Sequence, residues 1–228
     1  MKHLADAFLL FVKWPFALFA LVITPGCVVT FCQTCQQLLR NGVWKTPFGV
    51  GFMVAAILWM ILGKSRFVKF WATMDHELTH ALFAWLTGVR VLELRSTDGS
   101  IEVVDDHTEG HVRIAGGNWL IDLSPYFFPT APFVIGISTW ILAETPSIIA
   151  KCMLGAATSY SVASTLREVH PQQSDFSSAG KLFTVLVLPC LNFLTYGFIF
   201  ANELGGKLGA CSYLKAVLSR TFDIIHLN

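Results

Sequence analysis

The chain has 228 residues, of which 54% are hydrophobic and only 14% are charged, and its mean hydropathy is +0.59. Such values are typical of membrane proteins and exclude an ordinary soluble domain. Basic and acidic side chains nearly balance, so a formal net charge of +1 leaves no basic surface for nucleic acid. We therefore expect an integral, multi-pass membrane protein that contacts the lipid bilayer and no nucleic acid, located in the inner membrane if the source is bacterial.

Apolar runs recur along the chain, and about 20 such residues in a helix cross a hydrocarbon core of about 30 Å. They predict an all-α polytopic membrane protein with about five or six transmembrane helices, in a single domain covering residues 1–228. We expect the first run to be an uncleaved anchor rather than a cleaved signal peptide. The predicted spans cover about residues 7–31, 48–62, 67–89, 119–143, 148–164 and 182–201.

Other segments differ in character from regular spans. Residues 89–118 begin with an alternation of apolar and polar side chains and contain an Asp98-Gly99 pair, which predicts a small β-hairpin or three-strand meander outside the lipid core. The alternative is an ordinary surface loop. Residues 208–228 place Leu214 and Val217 among apolar side chains at helical spacing, which predicts an amphipathic tail helix at the membrane interface. A serine and three prolines between residues 124 and 132 predict a broken or kinked helix.

Residues 75–80, inside the third apolar run, form a His-Glu-x-x-His motif. Positions four apart differ by about 40° around a helix, so His76 and His80 can both reach one metal ion. Glu77 then lies beside the ion, where a carboxylate can take a proton from activated water and pass it to the leaving amine. The motif predicts a Zn²⁺ site in which His76 and His80 are ligands and Glu77 is the catalytic base. The alternative is that these groups pair with one another, or that the helix lies at an interface.

Such a motif inside an apolar span, followed by a β-hairpin and more spans, resembles the site-2 protease family of intramembrane zinc metallopeptidases. The position before the second histidine is usually glycine in that family and is Thr79 here. The resemblance implies a zinc metalloprotease that cleaves membrane-spanning or membrane-associated protein or peptide substrates. Residues 89–94 would hold an unwound substrate by strand addition. The alternative function is a non-catalytic metal-binding membrane protein, or an inactive protease-like scaffold.

A catalytic zinc site needs a third protein ligand and one open position. In the resembled family this ligand is an aspartate in a later span, commonly within an Asn-x-x-Pro…Asp-Gly pattern that is absent here. Ser174-Asp175 resembles the Ser-Asp element of small divergent members, which implies Asp175 as the third ligand. His76 lies near the middle of its predicted span. Asp175 can meet it there only if the last helix begins near residues 172–174, several residues before the apolar run that starts at residue 182. The alternatives are Asp122 and a loop cluster of His107, Glu109 and His111.

Several further residues have weaker signals. His170 would either support Asp175 or lie at the interface. Asn118 and Asn192 would donate hydrogen bonds to a substrate or an oxyanion, or else pack helices, which is the commoner role. The glutamates at positions 109, 144 and 168 offer no convincing match to the glutamate ligand of a prenyl-protein protease. Cys27, Cys32 and Cys35 include one pair at metal-site spacing, but a single pair favours small residues at a helix end.

Overall fold

The computed structural model describes residues 2–95, 111–114, 117–142 and 147–226. They are predominantly helical, which confirms the all-α class. Two short 3-10 helices cover Val43–Lys45 and Ser124–Tyr126. The helices are α1 (Lys2–Arg40), α2 (Pro47–Leu62), α3 (Arg66–Leu86), α4 (Trp119–Leu123), α5 (Thr130–Leu142), α6 (Ile148–Glu168), α7 (Ser174–Ala179) and α8 (Lys181–His226), and the strands are β1 (Val91–Arg95) and β2 (His111–Ile114).

Two helices in this part of the chain, α1 and α8, are long and apolar enough to cross a membrane. Up to four spans result if α2 with α3, and α4 through α5, each count as one broken span. The expected five or six crossings are therefore not confirmed. One reason is that α2 and α3 meet at 118°, so two predicted spans form one bent unit. Another is that Lys151 and a serine- and threonine-rich second half make α6 too polar to qualify.

The long apolar helices form the main core of the protein. A kink at Gly205 and Gly206 divides α8 into residues 181–204 and 207–226. The second half folds back on the first, since the Tyr213 hydroxyl donates to the Phe193 carbonyl at 2.7 Å. This second half covers most of the predicted amphipathic tail. It buries Val217 but leaves Leu214 exposed, so its apolar side chains do not all lie on one buried face.

A second pair of helices, α2 and α6, packs closely through two glycines. A Cβ atom at Gly51 would meet the carbonyl of Cys152, and a Cβ at Gly155 would meet the carbonyl of Phe48. Small residues let the two backbones approach, as is usual where apolar helices pack in membranes. This contact sets the position of α6, whose last residue is Glu168.

Strands β1 and β2 pair antiparallel beside α3, with Val91 opposite Ile114 and Arg95 opposite His111. The register is irregular between Val91 and Glu93. The predicted Asp98-Gly99 turn lies outside the described residues, so the β-hairpin as a whole stays a prediction.

The break predicted between residues 124 and 132 is present. Ser124–Tyr126 form a 3-10 turn, and the helices on either side meet at 84°. Because the backbone turns here, the side chain of Tyr126 projects toward α3, where its ring centroid lies 5.2 Å from that of His76.

Candidate metal centre

The two histidines of the motif lie on one face of α3. Their ring centroids are 4.8 Å apart, and Nε2 of His76 lies 3.1 Å from Nε2 of His80. Both rings belong to the inward part of the helix, and His80 is buried. The helical spacing of the sequence therefore places both Nε2 atoms at a common point, as expected for positions four apart.

Asp175 brings a carboxylate oxygen to the same point. Its Oδ2 lies 3.7 Å from Nε2 of His76 and 3.6 Å from Nε2 of His80. The helix that carries it, α7, begins at Ser174, within residues 172–174, where a helix was expected to begin so that Asp175 could reach His76. It does not continue into the last span, because Gly180 adopts a φ of 89° and separates α7 from α8.

The three atoms fit a metal ion of the size of zinc. They form the one group of histidine, cysteine or acidic ligand atoms within the described chain that could hold an ion. A circle through a triangle with sides of 3.1, 3.6 and 3.7 Å has a radius of about 2.0 Å, close to the usual zinc–nitrogen and zinc–oxygen distances. Two histidines and one carboxylate supply three protein ligands, which would leave the fourth position of a catalytic zinc ion open for water.

Hydrogen bonds on the far side of each ring orient the histidines. Nδ1 of His76 donates to Oε2 of Glu168 at 2.7 Å, and Nδ1 of His80 donates to the carbonyl of Ile121 at 2.8 Å. Both partners accept, so in the neutral rings each Nε2 carries a lone pair. Three acceptor atoms then face one another, and they repel unless a proton or metal ion lies between them.

Asp175 is itself held by Tyr126. The Tyr126 hydroxyl donates to Oδ2 of Asp175 at 2.8 Å. Burial alone would raise the pKa of Asp175, but when a proton lies between the rings and the carboxylate, the contacts with His76 and His80 outweigh burial and hold the pKa below its usual range. The carboxyl group is therefore ionised, which is the form that binds a metal.

Glu77 and Thr79 are also among the buried residues of α3. Glu77 is buried and lies within electrostatic range of His76 and Tyr126. Thr79, at the position where the resembled family usually has glycine, donates to the carbonyl of Asp75 and accepts from Thr130 at 2.6 Å. The side chain is accommodated because α5 supplies this hydroxyl partner.

Two other predicted residues, Asp122 and His170, are not part of the converging group. Asp122, the alternative third ligand, accepts a hydrogen bond from Ser178 at 2.9 Å and does not belong to the converging group. His107 and Glu109 lie outside the described residues, as does the side chain of His111. His170 is exposed and lines an apolar groove.

The two asparagines have structural roles in this chain. The Asn118 side chain accepts from the backbone N–H groups of Leu120 and Ile121, and so caps α4. Asn192 donates to the carbonyls of Tyr126 and Leu188. Asn118 thus fixes the turn that presents the Ile121 carbonyl to His80. The six cysteines are free thiols, and Cys32 and Cys35 lie within α1 rather than at its end.

Sequence reasoning did not assign Glu168 or Tyr126 to the site. Glu168 was considered only as a metal ligand, whereas it lies behind His76 and accepts from its ring. Tyr126 lies in the predicted helix break, which was the one signal that could have pointed to it.

Comparison with known proteins identifies no relative. No protein-family model, no curated protein and no solved structure matches the chain.

Proposed function

We propose that the protein is an intramembrane zinc metallopeptidase, with His76, His80 and Asp175 as zinc ligands and Glu77 as general base and acid. The observation that carries the proposal is the convergence of two oriented imidazole nitrogens and one carboxylate oxygen at distances that fit zinc, next to a buried glutamate. These residues lie in a chain whose long helices can cross a membrane.

Each residue has a distinct task in hydrolysis. Zinc, when bound, supplies the Lewis acidity that makes water acidic near neutral pH and polarises a peptide carbonyl. Glu77 takes the proton of the attacking water and passes it to the leaving amine. Glu168 and the Ile121 carbonyl keep the two rings turned with Nε2 toward the ion. Tyr126 fixes Asp175 through its hydroxyl.

Acidic side chains support a cation at this point of the molecule. Asp75, Glu77, Glu168 and Asp175 surround two histidines, and all four acids are buried or partly buried. Clustered carboxylates in a region of low dielectric repel one another unless positive charge is present. A divalent ion between the histidines and Asp175 would compensate two of these charges.

Strand β1 would position the substrate. A helical substrate must be unwound before its amides are accessible, and an extended segment can add to an open strand edge. β1 packs beside α3, the helix that carries the motif. A proline at Leu92, which is exposed, would block pairing along β1. Unchanged cleavage by a folded Leu92→Pro variant would contradict strand addition.

Metal content and peptide cleavage by the detergent-purified full chain test the proposal. The probes are membrane-spanning peptides of about 24 residues with an Ala-Leu core and terminal lysines. We expect one zinc per chain in the wild type, measured by inductively coupled plasma mass spectrometry, and cleavage of the peptides. Glu77→Gln should keep the zinc and lose cleavage by at least about 100-fold. Asp175→Ala should lose the zinc.

Asp122→Asn is the matched control, because Asp122 is the rival ligand and asparagine preserves an acceptor for Ser178. It should retain zinc and cleavage. A wild-type protein that binds zinc but cleaves no peptide would instead be a metal-binding scaffold. Iron in place of zinc would also contradict the proposal, since two histidines and one carboxylate can bind iron as well.

A further inference from the structure

The helix that carries Asp175 is too short to fix its own position. α7 covers only Ser174–Ala179, whereas an isolated helix needs about 12–15 residues to be even marginally stable in water. No side chain caps its first turn, and Gly180, with a φ of 89°, separates it from α8. The place of Asp175 therefore depends on the contacts that α7 makes with neighbouring elements.

Ser178 makes one of these contacts. It lies three residues after Asp175, so the two side chains project from the same face of α7 on successive turns. The Ser178 hydroxyl donates to Oδ2 of Asp122 at 2.9 Å. Asp175 itself accepts from Tyr126 at 2.8 Å. These two hydrogen bonds attach α7 to the α4 segment and to the turn that follows it.

Asp122 belongs to α4, which also contacts the other side of the metal centre. The carbonyl of Ile121, the preceding residue, accepts from Nδ1 of His80 at 2.8 Å. Two consecutive residues of one capped helix therefore contact the ring of one candidate ligand and the helix that carries another. The distance of 3.6 Å between Nε2 of His80 and Oδ2 of Asp175 depends on this connection through α4.

The surroundings of Asp122 fit a structural partner of α7 better than a metal ligand. Asp122 is partly buried, and an ionisable side chain in an apolar environment is costly unless it is paired. Lys13 is the one charged residue between positions 7 and 39, and it lies within electrostatic range of Asp122. Its ammonium nitrogen is 3.6 Å from the point that a Cβ at Gly180 would occupy. A hydrogen-bond donor and a positive charge thus lie near Asp122 at the end of α7.

We propose that Asp122 is a positioning residue of the metal centre, which holds α7 through Ser178 so that Asp175 and His80 meet at one ion. The inference rests on the zinc site of the proposed function, but not on peptide cleavage. Metal ligands lie within about 0.2 Å of their usual distances, so a small shift of α7 weakens the site. Asp122 then controls zinc affinity through its hydrogen bond and the length of its side chain, not through its charge.

Variants of the detergent-purified full chain separate the hydrogen bond from the charge. Asp122→Leu and Ser178→Ala each remove the hydrogen bond, and each should raise the zinc dissociation constant about tenfold, as is usual when a residue that orients a ligand is lost. Asp122→Asn removes the charge but keeps an acceptor, so it should retain the wild-type affinity. Ser177→Ala is the control on α7, because Ser177 is exposed and adjacent in the chain. Competition with a fluorescent zinc chelator measures all four variants.

Asp122→Glu tests the length of the side chain. It keeps the charge and the acceptor but adds one methylene, about 1.5 Å, so its bond to Ser178 should displace α7. The visible absorption bands of bound Co²⁺ report the coordination geometry of the site. These bands should change in Asp122→Glu and stay as in the wild type in Asp122→Asn.

Other results would overturn the inference. A loss of affinity in Asp122→Asn equal to that in Asp122→Leu would show that the charge acts instead of the hydrogen bond. Wild-type affinity in Ser178→Ala, with or without a lower thermal stability, would show that the contact only supports the fold. Wild-type Co²⁺ bands in Asp122→Glu would show that Asp122 does not set the position of Asp175. A wild type that binds no zinc would overturn the proposed zinc centre, and this inference with it.

Discussion

Nδ1 of His76 lies 2.7 Å from Oε2 of Glu168, a residue 92 positions later in the chain. The contact joins the motif helix α3 to the end of α6. It leaves Nε2 of His76 directed at His80 and Asp175, so the geometry of the metal centre depends on how α6 is placed. Several consequences of this dependence can be measured.

Removing the Glu168 carboxylate should weaken zinc binding without removing a ligand. In Glu168→Ala, His76 loses the partner that fixes its tautomer and orientation, and we expect the zinc dissociation constant to rise about 10–100-fold. Competition with a fluorescent zinc chelator measures this change. Glu203→Ala is the control, because Glu203 lies on α8 away from the histidines. Equal affinity in the two variants would show that Glu168 does not orient His76.

A larger residue at Gly155 should disturb the site from a distance. A Cβ there would meet the carbonyl of Phe48, so Gly155→Val should force α6 away from α2 and destabilise the protein by about 1–3 kcal/mol. The displaced helix carries Glu168, so zinc affinity should fall as well. Gly136→Val is the control, since no atom lies within 4 Å of a Cβ at Gly136. Thermal unfolding, monitored by circular dichroism, measures the loss of stability, and the chelator assay measures the loss of zinc affinity. Equal stability of the Gly155→Val and Gly136→Val variants would contradict the close contact between Gly155 and Phe48.

Local patterns in the sequence predicted the residues of the site that lie close together in the chain, but few of those that reach it from distant segments. The spacing of His76 and His80 follows from the helical repeat, so their convergence could be derived from the motif alone. Asp175 was reached only by resemblance and by a depth argument. Glu168 and Tyr126 join the site through tertiary contacts over dozens of residues, and no periodicity encodes these contacts.

In the fold, too, local sequence patterns predicted some features, whereas others depend on tertiary packing. Apolar runs located most helices, but the 118° bend between α2 and α3 depends on packing that hydropathy does not report. The reversal inside α8 occurs at Gly205 and Gly206, a pair of residues typical of turns. The gap between the last predicted span and the predicted tail helix falls at this pair, yet the sequence did not show that the second helix packs back on the first.

The cap of α4 should influence His80 through the backbone. Asn118 accepts from the N–H groups of Leu120 and Ile121, and Asn118→Ala should cost about 1 kcal/mol of stability. The Ile121 carbonyl that accepts from His80 becomes less well fixed, so zinc affinity should also fall. Ser147→Ala removes a comparable cap at the start of α6, where Ser147 accepts from Ala150. We expect similar destabilisation there but unchanged zinc affinity, and an equal loss of affinity would show a general effect of stability.

Zinc should stabilise the folded protein only through the three converging residues. A ligand that binds the native state alone, at about 100 times its dissociation constant, stabilises that state by about 2.7 kcal/mol. Chelation with 1,10-phenanthroline should therefore lower the thermal midpoint of the wild type, and added zinc should restore it. Asp175→Ala should show neither change, because two imidazoles alone bind zinc weakly, whereas Asp122→Asn should behave as the wild type. A zinc-dependent midpoint that persists in Asp175→Ala would place the ion elsewhere, and variants of His107 and His111 would then locate it.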